Sequence, residues 1–133
     1  MTALQALLWY VVWTLLMVFA YVNWRTLEIM RGKSAASWTR GGGIERPEIV
    51  KRMENAHANC VENLPLFAAV VLVAAAMGKS AVADAYAAYV LYARIAQGLV
   101  HIAAVNHFMV MVRATFWLIQ VVLILLMVWG LLH

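Results

Sequence analysis

The side chains of this sequence that could do chemistry are few, and most of them lie on one line. Arg52, Asn55, Asn59, Glu62 and Asn63 recur at helical spacing. At about 100° per residue they fall within an arc of roughly 100°, a single stripe on one helix face. The stripe carries a guanidinium at one end, a carboxylate near the other and amides between them. Arg94, His101 and Arg113 stand further on, each in an apolar run. With Arg31 these groups make several cations and one carboxylate. That set suits a small anionic ligand that also bears an ammonium, because guanidinium forks match carboxylates while Glu62 can take the ammonium. No two histidines stand at HxxxH spacing, and no metal site is expected. His57 falls about 140° away from Arg52 and suits an inter-helix hydrogen bond. Cys60 is the only cysteine, so no disulfide forms within the chain; it reads as a buried, inert thiol.

These residues must be positioned by helices in a membrane. Of 133 residues, 66% are hydrophobic and 12% charged, and the mean hydropathy is +0.84. Soluble domains run at about 45–50% apolar and about 25% charged. A soluble globule this small could not hide so much apolar side chain. Met1 to Trp24 holds no charge and spans more than the roughly 30 Å of a bilayer core. Arg25, Arg31 and Lys33 follow this run instead of preceding it, the pattern of a retained helix and not of a signal peptide. Gly41-Gly42-Gly43 interrupts the next segment, and Pro47-Glu48 suits the first turn of a second helix.

The uncharged stretch from Asn63 to Gly78 gives only about 24 Å of helix. The second helix must therefore reach back through Asn55, His57, Asn59 and Glu62. Polar groups are thereby drawn to membrane depth, where they are costly and usually functional. Gly78-Lys79-Ser80 is a turn. From Ala85 to Leu132 the only formal charges are Arg94 and Arg113, and a single helix there would run about 70 Å, so a break is placed at Asn106-His107. The reading is an all-α integral membrane protein, one four-transmembrane-helix bundle over 1–133, with helices near 2–30, 48–77, 81–105 and 107–132.

Arg25, Arg31, Lys33, Arg40, Arg46, Lys51 and Arg52 crowd the first loop, while the second carries Lys79 alone. The positive-inside rule puts the first loop in the cytoplasm and both termini on the opposite side. The basic balance thus speaks of topology and lipid headgroups; no aromatic–basic interleaving suggests nucleic acid. Glu62 lies about 15 Å from the cytoplasmic face and Arg94 about 17 Å. An unpaired charge there costs about 2.5–3.5 kcal/mol even on a lenient scale, so a Glu62–Arg94 pair is expected. His101 and Arg113, near the same face, join Arg31 and Arg52 in a basic cup. Enclosing Arg94, Glu62 and Asn59 while still offering a ligand cleft is expected to take more than one subunit, with Ala68, Ala69, Ala74, Ala75 and Ala76 permitting close helix approach.

The run from Glu45-Arg46-Pro47 to Phe67, with its core Asn55-Ala56-His57-Ala58-Asn59-Cys60-Val61-Glu62-Asn63-Leu64-Pro65-Leu66-Phe67, resembles the signature of the MAPEG family, the membrane-associated proteins in eicosanoid and glutathione metabolism. Four helices and a basic first loop are compatible with it, in the manner of a bacterial-type microsomal glutathione transferase. The resemblance implies a homotrimer in membrane lipid, with glutathione as co-substrate in a cleft between subunits and a lipophilic second substrate. It implies glutathione contacts from Arg31, Arg52, Asn55, Asn59, Glu62, Arg94 and His101, with Glu62 on the ammonium, and a catalytic Arg113 beside the thiol. Asn55 stands where the prostaglandin E synthase and microsomal transferase branch has arginine, and His101 where it has tyrosine. Ala114 replaces the prostaglandin synthase's serine and Trp117 a tyrosine. These departures argue against prostaglandin E synthase activity. The resemblance leaves two functions: a glutathione transferase or peroxidase acting on lipophilic electrophiles or lipid hydroperoxides, and a non-catalytic scaffold that binds lipids or a partner.

Overall fold

A computed structural model describes residues 1–34 and 45–133. It contains four helices: α1 (Ala3–Met30), α2 (Glu48–Ala76), α3 (Ser80–Ala103) and α4 (His107–Leu132). Gly41-Gly42-Gly43 and Arg40 lie outside the described residues.

Local chemistry starts and stops each helix. The Thr2 hydroxyl accepts from the Gln5 amide at 3.2 Å, and Gln5 Oε1 accepts from the Thr2 amide at 2.9 Å. This reciprocal pair satisfies two of the orphan donors of α1. Pro47 precedes α2, where a missing N–H costs nothing. Gly78, at φ +69°, turns the chain between α2 and α3 in a conformation that side chains with a Cβ avoid. Asn106 Oδ1 accepts from the Met109 amide at 2.9 Å and opens α4. α2 runs on through Pro65 without ending.

α2 and α3 pack together, with α1 on one side of the pair and α4 on the other. Small residues set the spacing: Ala6, Ala74, Ala83 and Ala87 are fully buried between helices, letting backbones approach closely. Gly98 serves the same end, since a Cβ there would stand 3.0 Å from the Trp13 indole. Tyr10, Phe67, Val71, Val90 and Met127 fill the remaining core. Leu8, Phe19, Leu72, Leu125 and Trp129 point outward and are exposed. A surface of this kind is stable against lipid or another subunit, not against water.

Three helices, α1, α2 and α4, are long and apolar enough to cross a membrane. α3 falls short because Asp84, Arg94, Gln97 and His101 interrupt it. Its place explains why that is tolerated. α3 touches all three other helices, and Arg94, Gln97 and His101 are buried against protein.

Candidate functional site

Arg94 is the largest fully buried side chain of the described residues. Its Nε donates to Gln120 Oε1 of α4 at 2.9 Å, and its Nη1 makes a longer contact, 3.5 Å, to Asn59 Oδ1 of α2. The guanidinium stands 5.8 Å from the centre of the Tyr10 ring of α1, within cation–π reach. Gln120 in turn donates through Nε2 to Gln97 Oε1 of α3 at 2.7 Å and to the Phe116 carbonyl at 3.1 Å. One arginine therefore meets all four helices.

The expected Glu62–Arg94 ion pair does not form. Two neutral amides hold the guanidinium instead, and Glu62 lies exposed on α2. Asn59 and Glu62 are three residues apart, so their directions differ by about 60°. The contact that brings Asn59 to Arg94 leaves the carboxylate at the rim. Nor does enclosing Arg94 require a second subunit, since it is 1% exposed within one chain.

The rim opens into a cleft of about 240 Å³ lined by Asn59, Glu62, Gln97, Val110, Arg113, Ala114 and Trp117. α2 contributes the carboxylate, α4 the guanidinium and an apolar wall, and α3 the floor. The carboxylate can take an ammonium and the guanidinium an anion, beside a surface that takes hydrocarbon. This polar cleft sits on a helical frame whose outward surface is apolar.

A model of the MAPEG family matches residues 3–133. The chain belongs to the MAPEG family. Comparisons with curated proteins and with solved structures return no match. Membership and three apolar helices make it an integral membrane protein, in a family of glutathione-related and eicosanoid metabolism.

In this MAPEG chain the cleft unites three of the residues singled out in the sequence: Asn59, Glu62 and Arg113. The others lie elsewhere in the subunit. Arg94 is behind the cleft wall. Arg52 Nε donates to the Ile102 carbonyl at 2.7 Å, a cation on the open C-terminal carbonyls of α3. Arg31 ends α1 and meets Glu28 at 3.3 Å, a carboxylate that also holds Lys33 at 2.8 Å. His101 is buried in the last turn of α3, and its Nδ1 has no hydrogen-bond partner. Asn55 is exposed on α2, one turn from Asn59. The basic cup is therefore not assembled within one subunit, because Arg31 and Arg52 find acceptors nearer by.

Two residues of the cleft and its buried support escaped the sequence reading, Gln97, which lines the cleft, and Gln120, which holds Arg94. The chain has three glutamines, and these two interrupt apolar helices. A neutral amide at membrane depth was the available signal. His57 faces α1, its Nδ1 3.3 Å from the Tyr21 hydroxyl, and Glu54 takes Arg25 at 2.9 Å and Arg46 at 2.8 Å. The Cys60 thiol is buried 3.3 Å from the Thr14 hydroxyl.

Proposed function

We propose that this MAPEG protein is a glutathione-dependent transferase or peroxidase acting on lipophilic electrophiles or lipid hydroperoxides. The observation that carries this reading is that Glu62 of α2 and Arg113 of α4 line one cleft with an apolar flank. Glutathione offers two carboxylates, an ammonium and a thiol of pKa about 8.5. Glu62 takes the ammonium, and Arg113 stabilises the thiolate, as cations do beside reactive cysteines. The thiolate then attacks an electrophile that has partitioned into the bilayer and arrives along Val110, Ala114 and Trp117. Asn59 is a further glutathione contact. Arg31, Arg52, Asn55 and His101 are assigned outer roles around the peptide.

The working unit in this proposal is a homotrimer, with α3 as the fourth transmembrane helix and the basic first loop cytoplasmic. The cleft is smaller than the roughly 300–1,000 Å³ of most small-molecule sites, so one subunit supplies a half-site. Glu62 and Asn55 are exposed on α2, where lipid offers no partner and a neighbouring subunit does. Ala69, Ala75 and Ala76 remain exposed along the same helix. The protein in mild detergent should have the mass of three chains, and cross-linking that stops at two would count against it.

Glu62→Gln tests the ammonium contact. The amide keeps one acceptor and loses the charge, so the loss falls at the low end of the about 1.5–3 kcal/mol for charge-assisted hydrogen bonds. Glutathione affinity should weaken about ten-fold with the oligomer intact. Unchanged binding in an oligomer that dissociates would make Glu62 a subunit contact. The non-catalytic scaffold is the second reading, favoured by the absence of His101 from the cleft lining and by Asn55 in place of a cation. Thiolate absorbance on adding glutathione to the purified protein separates the two.

A further inference from the structure

The polarity of the cleft floor follows from which way three amide groups point, and the buried arginine decides it. A guanidinium has five N–H donors and no acceptor. Any amide that meets it must show its oxygen. Gln120 does so, with Oε1 on Arg94 Nε at 2.9 Å. Its nitrogen must then face the other way, toward the Phe116 carbonyl at 3.1 Å and Gln97 Oε1 at 2.7 Å. The Phe116 carbonyl is acceptor-only, so it demands the same orientation independently. Gln97 has spent its oxygen on Gln120. Its amide nitrogen is the end left over, and Gln97 lines the cleft. Asn59 repeats the pattern more weakly: its oxygen faces Arg94 at 3.5 Å, and it too lines the cleft.

We propose that Gln97 is a further ligand-contacting residue, which presents an N–H donor to the anionic sulfur in the cleft, and that Gln120 is the positioning residue through which Arg94 sets its direction. The proposal rests on the glutathione reading for the identity of the anion. The physical role is to make the floor donor-only. Gln97, Asn59 and Arg113 then face the ligand with N–H groups, and Glu62 is the one acceptor side chain at the rim. A thiolate gains from donors that need no reorientation when it forms, whereas a neutral amide free to rotate could offer its oxygen and repel it. A guanidinium stays charged at every accessible pH, so the orientation holds across the pH range of the reaction.

The test uses the full-length protein in detergent. Gln97→Met keeps the shape and removes the donor. The pH at which half of the bound glutathione is thiolate, read by thiolate absorbance, should rise by about one unit with affinity retained within a few-fold. Gln120→Glu keeps Arg94 held but offers Gln97 only acceptors, so Gln97 must turn its oxygen to the cleft. It should raise the midpoint too, and the rise should vanish in the Gln97→Met background. A midpoint unmoved by Gln97→Met overturns the proposal. So does a Gln120→Glu effect that persists undiminished in that background, because it would be the new charge acting through space.

A ligand-free measurement separates this inference from the glutathione reading. With glutamine the only labelled residue, the side-chain amide protons of three glutamines are observed. Those of Gln97 should show through-space contacts to Val110 or Ala114 methyls across the cleft, and those of Gln120 to Phe116. Gln97 amide protons that contact Gln120 but neither Val110 nor Ala114 would overturn the inference whether or not glutathione binds. Absence of glutathione binding with the expected contacts present overturns the functional reading and leaves the donor floor established.

Discussion

Arg113→Leu should leave glutathione bound within a few-fold of its native affinity while the pKa of the bound thiol rises by one unit or more. Arg113 is the only formal charge on α4, and it lines the same cleft as Glu62. If its task is to hold the sulfur anion, its loss withdraws stabilisation from the thiolate and little from the peptide. Each unit of pKa corresponds to about 1.4 kcal/mol of lost preference for the anion. Turnover of an aromatic electrophile at pH 7 should fall at least ten-fold. It should partly recover at higher pH, where the thiolate forms without help. Steady-state rates across pH, beside thiolate absorbance, check this. Loss of activity that high pH does not restore, together with loss of binding, would make Arg113 a carboxylate anchor. No change in either quantity would leave it a headgroup contact and favour the scaffold.

The second large effect lies in the buried network. Gln120→Leu removes the shortest acceptor of a guanidinium that is 1% exposed and strands the oxygen of Gln97. Leaving a charge uncompensated in the interior costs about 3–5 kcal/mol. For a chain of this length that corresponds to a fall of roughly ten degrees or more in the thermal midpoint. Gln120→Leu combined with Arg94→Met should recover part of the loss, because the second change removes the stranded charge. The order of the two midpoints is the decisive quantity. Attraction between the groups is not what makes the wild type stable; the single variant suffers from what is left behind. A double variant less stable than the single one would mean that Arg94 is held by packing and by its cation–π contact with Tyr10.

The helices were readable because the bilayer imposes lengths. An uncharged run from Met1 to Trp24, a turn at Gly78 and a capping asparagine at Asn106 are local features, and each acts within one or two turns of its own position. The stripe from Arg52 to Asn63 was readable for the same reason, since residues three and four apart share a face of a helix whatever surrounds it. Of its five residues, Asn59 and Glu62 line one cleft, while Asn63 is buried and Arg52 turns to the end of α3. Counting along α4 put Arg113 only near the cytoplasmic end, in a cup with Arg31 and Arg52; its place beside Glu62 was what the family resemblance implied.

Rotation of one helix against another is a different kind of quantity. Depth alone made Glu62 the partner of Arg94, but two groups at one level meet only if their helices turn them toward each other. Those turns are set by close contacts that involve neither residue: alanines buried between α1, α2 and α3, and Gly98, one turn from Arg94, giving way to Trp13. With the helices locked in that way, Gln120 faces Arg94 and Glu62 faces the rim. Spacing along a chain carries no term for this angle. Periodicity and helix length therefore settled which residues share a stripe and how far along its helix each one stands. The packing of small side chains between helices settled which of them touch, placing Arg94 behind the cleft, Arg52 on the end of α3 and Gln97 in the floor.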